Sequence, residues 1–582
     1  MPELRVCNFM VADLFRFIDM KILRLLPSSL LVLMVAGCAA PGGSPATGAT
    51  ADITIFSIND FHGNLQASQP VPYLYKKPDS QHSEQTVSAP AGGYAYLVSK
   101  LKERRAAVGA SVLVGAGDLM GASPMGAALL KDEPVVEAMN RMGLVATAVG
   151  NHEFDKGPDE LRRRIRGGCP EGGCAYGGFH GARYTYLGAN VELADKPGSW
   201  LPPYVVQQVG DFKIGFIGAV TSDVPNLVAG DAVKNLRFGD EANAINRYVP
   251  ELKRQGVDAI VVLIHEGGTY KGNENDPTYS CDGLQGPIID IVKKLDPAVS
   301  LVVSGHSHEG YTCKIDGRLV VQGRSYGAFL TESTLTFDKQ THQLIKTAAV
   351  NHLIDQAAIV PDPDAQKLVA QVAAQTAQLR ERPVVTLKRA LRNKPDETHF
   401  DSPLGNLIAD AQLDLARHQG GADFAFMNEG GVRSDLPSGA QSGPVTVNFG
   451  DLYAVQPFGN GIIRMQLSGA QILEALQQQW RNRNQGDIRK LFVSAGFSYQ
   501  WKQTELSESA IRDVSVNGAA LSMEKIYTVV VNSFLADGGD GFPVFKQGTN
   551  RQLIGNDLEA MENYIMEQGS RVADMAVDRV RQ

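Results

Sequence analysis

From Asp52 onward the chain alternates two kinds of hydrophobic patterning. Short runs rich in aliphatic and β-branched residues (DITIFSI, SVLVGA, LVATAV, FKIGFIG, DAIVVLI, VSLVVSG) predict strands. Between them lie patterns of helical period, such as Tyr94 to Ala106 and Glu133 to Met142. Strands alternating with helices predict a layered α/β domain. A last strand near Leu330 to Phe337 closes it, and residues 362–380 predict a polar helix with one narrow apolar stripe that connects two domains. The pattern then restarts with Val384-Val385, a helix over NLIADAQLDLAR, a strand and turn over VTVNFGDLYAV, and a strand plus loop over EKIYTVVVNSFLADGGDGF. At 582 residues the chain exceeds what one core organises, so two domains are expected, at 52–350 and 383–582, with a linker helix within 351–382.

The first fifty residues follow different rules. From Met20 the run MKILRLLPSSLLVLMVAGC has a basic start (Lys21, Arg24), an apolar core Leu25 to Val35, and small residues before Cys38. This is an export signal, and Val-Ala-Gly-Cys resembles the bacterial lipobox, in which the cysteine is acylated. Cleavage by an ordinary signal peptidase among Ala36 to Ala40 and an uncleaved membrane helix are the alternatives, the latter disfavoured by an apolar core of only about 11 residues. Glu3, Asp13 and Asp19 precede the signal, where acids are unusual, so residues 1–19 read as an upstream extension and Met20 as the start. Residues 39–51 (AAPGGSPATGATA) form a small-residue tether. The expected location is the periplasm or cell surface. Ala39 after Cys38 favours lipid anchoring to the outer membrane, the sole expected membrane contact.

Composition changes the picture in two places. The formal charge of -8, with no basic run in the body of the chain, argues against a nucleic-acid polymer as partner. An anionic small substrate would then need a local positive field, which metal ions can provide. Four cysteines remain beyond the signal region, an even number suited to an oxidising compartment. Cys169 and Cys174 bracket a short Gly-rich loop that can close on itself, and Cys281 would then pair with Cys313; a zinc site made of the four is the alternative, with spacing unlike a zinc knuckle.

Several predicted strands end in a residue able to bind metal. Asp60 and His62 follow DITIFSI, Asp118 follows SVLVGA, Asn151 follows LVATAV, His265 follows DAIVVLI, and His306 and His308 follow VSLVVSG. Ligand sites of α/β sheets collect beyond the carboxyl ends of strands, so these side chains are expected to converge. A lone histidine or strand-end aspartate is usually structural. The joint pattern of nitrogen and oxygen donors without thiolate suits a dinuclear hydrolytic site holding two divalent ions of Zn, Mn, Co, Fe or Mg.

In this order NDFHGN, GAGD, GNHEFD, IHEGG and GHSH, continued by PLGNLIADA, FMNEGGVR, VQPFGN and FLADGGDGF, resemble the 5′-nucleotidase family of calcineurin-type metallophosphoesterases. The resemblance implies a four-layered α/β/β/α N-terminal domain and an α+β C-terminal domain for substrate recognition. It implies that Asp60, His62 and His308 hold one metal, that Asn151, His265 and His306 hold the other, and that Asp118 bridges them. It makes His152 and Asp155 a dyad acting on the phosphoryl group or the leaving oxygen, and places Asn428 and Arg433 against a nucleotide. Phe458 and Phe534 would sandwich the base, and Asp540 would contact ribose hydroxyls. Relatives reorient the C-terminal domain, so a hinge is expected near residues 350–385.

One departure concerns the substrate half. The family usually carries an additional phosphate-binding arginine where this chain has Phe400, in HFDSPLGN, with Arg392 upstream as a possible substitute. The expected reaction is 5′-nucleotidase hydrolysis giving nucleoside and phosphate. Cleavage of 2′,3′-cyclic nucleotides, UDP-sugars or NAD on the same fold stays open, as do oligomeric state and metal identity. From a different class, a nucleotide-binding surface lipoprotein without catalysis is the alternative. The intact ligand set argues against it, because a pure binder has no use for a water-activating site.

Overall fold

The computed structural model describes residues 49–66, 72–78, 84–169, 173–196, 198–228, 230–394, 400–439, 443–480, 488–502, 510–574 and 577–581. The expected extension, signal and acylated Cys38 lie outside them. Of the expected tether 39–51, the last two residues already belong to the first strand, Thr50–Ile58.

Two six-stranded sheets make the N-terminal half. The first runs in the order Leu344–Leu353, Phe329–Asp338, Thr50–Ile58, Ser111–Ala116, Leu144–Ala148, Thr185–Leu187, and the second in the order Gly310–Ile315, Arg318–Gly323, Val299–Ser304, Ala259–His265, Phe212–Val220, Tyr204–Val209. In each sheet the central strands are parallel and an edge is antiparallel. The near-continuous apolar runs follow from burial on both faces. In Thr50–Ile58, Ile53 and Ile55 enter the core between the sheets, whereas Phe56 and Ile58 enter the core under the helices Tyr94–Ala107 and Glu133–Met142. In Ala259–His265, Val261 and Leu263 face the first sheet, and Ile260, Val262 and Ile264 pack under Glu241–Arg254 and Pro287–Lys294. The layers are therefore helix, sheet, sheet, helix.

The connecting helix is Pro363–Arg380, started by the Asp362 carboxylate, which accepts from the N–H groups of Asp364 and Ala365. Its buried residues Ala365, Leu368, Val372 and Thr376 recur at three- and four-residue spacing, and the helix packs on Tyr94–Ala107 and Met125–Leu129. The C-terminal half is built on a five-stranded sheet ordered Leu491–Val493, Phe424–Asn428, Ile526–Asn532, Gly461–Ser468, Thr549–Asn556. Helix Pro403–Arg417, capped by Ser402, covers it together with Asp557–Gln568. The expected turn in VTVNFGDLYAV is instead a helix, Phe449–Val455, because Asn448 and Asp451 close a reciprocal capping box. The described residues from Ala49 onward cluster as one compact unit.

Phe400 belongs to the core of this half. Its ring lies 4.3 Å from Trp501 and 6.1 Å from Trp480 between centroids, and 2 % of the residue is exposed. Position 400 thus points into an aromatic cluster, so an arginine there would bury its charge and displace packed rings. Phe400→Arg is expected to cost about 3 kcal/mol or more of stability and to bring no gain in affinity for AMP, read from denaturant midpoints and KM. Cys169 and Cys174 are bridged. Cys281 and Cys313 correct the expected second bridge: both are thiols, Cys281 Sγ donating to the Lys314 carbonyl (3.4 Å) and Cys313 Sγ to that of Ser280 (3.6 Å).

Candidate active site

The loops at the carboxyl ends of the central strands of both sheets meet, and their side chains converge. His265 Nε2 lies 3.0 Å from Asp118 Oδ2 and 3.1 Å from Asn151 Oδ1. His62 Nε2 lies 3.7 Å from the same Asp118 oxygen and 3.1 Å from His308 Nε2, which is 3.4 Å from Asp60 Oδ1. Two of the tight groups, Asp60 with His62 and His308, and Asp118 with His265 and His306, each present three ligand atoms within 4.8 Å of one another. Asp118 belongs to the second group and also lies 3.7 Å from His62 of the first.

The backbone that aims these side chains is unusual. Asp60, His62, Asp118, His306 and His308 all have positive φ, between 46° and 72°. Non-glycine residues adopt this region at a cost, and sites retain it when the surroundings over-determine it. Here the Asp60 N–H donates to the Gly117 carbonyl (3.1 Å), that of His62 to Asp118 (2.9 Å), and that of His306 to the Asp60 carboxylate (3.0 Å). Two glycines permit the crowding: a Cβ on Gly117 would fall 2.6 Å from His265 Nδ1, and one on Gly150 would fall 2.1 Å from Asp118 Oδ1.

The donor chemistry fits divalent cations. His62 Nδ1 donates to the Gly121 carbonyl (2.9 Å) and His265 Nδ1 to that of Ala116 (2.8 Å). A carbonyl only accepts, so each ring carries a proton on Nδ1, and neutral His62 turns a bare Nε2 lone pair inward. Burial would lower His265, but Asp118 prevails and raises it to about 10, so without a cation its Nε2 donates to Asp118. Burial lowers His62 and His306 to about 3, which keeps both neutral. Burial works against charge on Asp118 too, but His265 outweighs it and holds the carboxyl well below its usual range. Imidazoles and carboxylates without thiolate form a set suited to borderline and hard divalent ions.

Beside this centre, His152 and Asp155 sit on one turn of 3₁₀ helix, with Nδ1 and Oδ2 2.9 Å apart. Burial would lower His152, but Asp155 and Asp118 prevail and raise it above its ordinary value. A cavity of about 1280 Å³ opens over the centre, lined on one side by Asn151, His152, His306 and His308 and on the other by residues of the C-terminal half. Asn428, Arg433, Phe458, Phe534 and Asp540 all reach it. The Phe458 ring stacks on His152 at 5.8 Å, and the Arg433 guanidinium lies 5.8 Å over the other partner in that stack, Phe458. Asn428 Nδ2 donates to Asp540 Oδ2 (2.6 Å), and Asn532 Nδ2 donates to Asn428 Oδ1 (2.8 Å). Arg392 is 70 % exposed and bonded to Asp435, so it does not replace the arginine expected at position 400.

Sequence reasoning missed three contributors. Glu153 is buried and accepts N–H bonds from both the Asp118 and the Gly150 loops; it was in view inside GNHEFD, flanked by residues with louder roles. Asn59 donates through Nδ2 to Asp60 Oδ2 (2.6 Å) and to the Arg324 carbonyl, holding the first ligand loop. Arg489, just before Leu491–Val493, lines the cleft and had no motif to announce it.

Comparison with known proteins agrees with this architecture. The calcineurin-like phosphoesterase family matches residues 53–310, and the 5′-nucleotidase C-terminal domain matches residues 374–547. Cell wall protein Lmo0130 of Listeria monocytogenes is 33% identical over 94% of this chain and 72% of its own length. Endonuclease YhcR of Bacillus subtilis is 31% identical over 88% of this chain, which spans 39% of that longer protein. The crystal structure of a 5′-nucleotidase precursor from Thermus thermophilus superposes with a TM-score of 0.71 at 28% identity, covering 91% of this chain and 97% of that one. Two matched domains in the expected order, around a buried cluster of Asp and His donors, identify the chain as a member of the 5′-nucleotidase family of calcineurin-like phosphoesterases and as a metal-dependent phosphohydrolase.

Proposed function

We propose that the protein is a 5′-nucleotidase that hydrolyses nucleoside monophosphates to nucleoside and phosphate. One observation carries this reading: the donor cluster and a set of groups suited to a nucleotide (Asn428, Arg433, Phe458, Phe534, Asp540) border the same cavity. In this reading Asp60, His62 and His308 would hold one cation, Asn151, His265 and His306 would hold a second, and Asp118 would serve both. Two divalent cations would supply an acidified water and a positive field over the phosphoryl oxygens. The chain's own residues do the rest. Asp155 engages Nδ1 of His152 and favours its protonated form, which leaves Nε2 to stabilise charge on the phosphoryl group or donate a proton to the leaving oxygen. Asp118 Oδ1 accepts the His152 backbone N–H (2.9 Å), which ties the proton donor to the central carboxylate. Arg433 offers a planar fork for phosphate, and the two phenylalanines offer faces on which a base stacks for about 1–3 kcal/mol.

A second reading, cleavage of a pyrophosphate or phosphodiester linkage, is favoured by the size of the cavity. At about 1280 Å³ it exceeds the roughly 300–1,000 Å³ of most small-ligand sites. It continues past the donor cluster to Thr269, Gln285, Asp290 and Lys294, where a group beyond the scissile phosphate could lie. The two readings separate on a panel of AMP, UDP-glucose, NAD and 2′,3′-cyclic AMP with added metal, scored by released phosphate and by chromatography. Fast release of phosphate from AMP alone is expected; preference for NAD or UDP-glucose would replace the first reading with the second. Export, with anchoring through an acylated Cys38, belongs to the same proposal. It is supported by the signal-like N-terminus, the Cys169–Cys174 bridge and the similarity to a cell wall protein.

A further inference from the structure

Two imidazoles of the donor cluster are fixed through Nδ1, His62 by the Gly121 carbonyl and His265 by that of Ala116. Metal-ligating histidines almost always use their second nitrogen in this way, because the bond sets the orientation of the ring. His306 and His308 have no such bond among the described residues. His306 rests against the fully buried His265 ring, 5.1 Å away between centroids. The His308 side chain is 26 % exposed, yet its Nε2 stands 3.4 Å from Asp60 Oδ1 and 3.1 Å from His62 Nε2. Packing has to hold it there.

Tyr326 provides that packing. Its ring lies 5.4 Å from the His308 ring with 78° between the planes, and 5.7 Å from the His62 ring at 58°. The first is the edge-to-face arrangement that aromatic pairs prefer. The segment that carries Tyr326 is tied to the first ligand loop at two points: Asn59 Nδ2 donates to the Arg324 carbonyl, and the Tyr326 N–H donates to the Asp60 carbonyl (2.7 Å). Tyr326 has φ of 60°, and a Cβ on Gly92 would fall 2.7 Å from its carbonyl oxygen, so the backbone is boxed in around a costly conformation. The side chain is therefore presented from a fixed point beside Asp60. Its hydroxyl has no hydrogen-bond partner among the described residues, so what it offers the cluster is the ring.

We propose that Tyr326 is a positioning residue for the donor cluster: its ring holds the His308 imidazole in the orientation that turns Nε2 toward Asp60. This rests on the reading in which Asp60, His62 and His308 would hold one cation.

The test titrates the metal-depleted full chain with Co(II), followed by visible absorption and by equilibrium dialysis, and adds the variants Tyr326→Ala, Tyr326→Leu and Tyr326→Phe. Wild type should take up two cations. Tyr326→Ala is expected to weaken one of them by about 10- to 100-fold, the usual effect of losing a group that orients a ligand, and to leave the other within about twofold. Tyr326→Phe should bind like wild type. Tyr326→Leu keeps bulk without a flat ring and should share the Tyr326→Ala defect, so a Tyr326→Ala chain that fails to fold leaves the comparison intact. His308→Ala should weaken the same cation, with no further loss in the His308→Ala, Tyr326→Ala double variant, because one residue acts through the other. Affinities within about twofold of wild type for both cations would overturn the proposal. Equal weakening of both, together with a lower denaturant midpoint of the metal-free chain, would reduce Tyr326 to a structural role and overturn it as well. So would a Tyr326→Phe variant as weak as Tyr326→Ala, or losses that add in the double variant. A wild-type chain that takes up only one cation would defeat the two-cation reading, and Tyr326 would then be judged by the same comparisons on that cation.

Discussion

His152→Ala is expected to lower kcat for AMP by about two to four orders of magnitude, the usual contribution of a positioned proton donor, while metal content stays at the wild-type level. The split follows from where the side chain sits. Its Nδ1 is engaged by Asp155 at 2.9 Å, and its ring faces the cavity against Phe458. The inner donors have their own supports: His62 through Gly121, His265 through Ala116, and Asp60 through Asn59. The His152 ring nitrogen lies within 4.8 Å of ligand atoms of His62 and Asp118, but the hydrogen bond to Asp118 comes from the backbone N–H, and alanine keeps it. Asp155→Asn should show a milder form of the same defect, since it weakens the bias toward a protonated imidazole without removing the ring. Metal content comes from plasma mass spectrometry and turnover from phosphate release. A variant that loses metal yet keeps turnover would remove His152 from the proposed role.

How much of this was legible in the sequence depends on whether the deciding contact is local. The strand runs before Asp60, Asp118, Asn151, His265 and His306 are dense in residues that must be buried on both faces, so the layered α/β architecture and the convergence of strand ends could be read directly. The dyad was legible too, because i and i+3 meet within one helical turn. Phe400 was not: its partners Trp480 and Trp501 lie about 80 and 100 residues downstream, and nothing beside it in the chain distinguishes a core ring from a cleft position. The 449–455 helix was missed for a local reason, the Asn448–Asp451 capping box, which was overlooked behind a β-rich run. Arg489 depends on Asp540, about 50 residues further on, to define its place. Parity paired Cys281 with Cys313, and the two side chains do adjoin, but as hydrogen-bonded thiols and not as a bridge.

Glu153 defines the other large effect. Its Oε2 accepts the N–H groups of Asp118 (2.9 Å) and Gly150 (2.7 Å), and its Oε1 accepts those of Leu119 (2.9 Å) and Met120 (3.4 Å). One fully buried carboxylate therefore clamps the loop that presents Asp118 to the loop that presents Asn151. Burial, with Asp118 adding to it, pushes its pKa up to about 7, while the N–H donors of Gly150 and Asp118 pull the other way. Glu153→Gln keeps the shape but replaces one accepting oxygen by an NH₂ group that faces N–H donors. Each buried donor left unpaired costs about 1–3 kcal/mol, so a loss of about 2–5 kcal/mol is expected. The loops would also part where a strained φ of 49° aims Asp118. Metal affinity and turnover should then fall together, and excess metal should restore part of the turnover. That pattern is the reverse of His152→Ala, so the pair of variants separates groups that build the centre from the group that uses it. Wild-type stability and metal content in Glu153→Gln would mean that the two loops are held by their own strands and that the clamp contributes nothing.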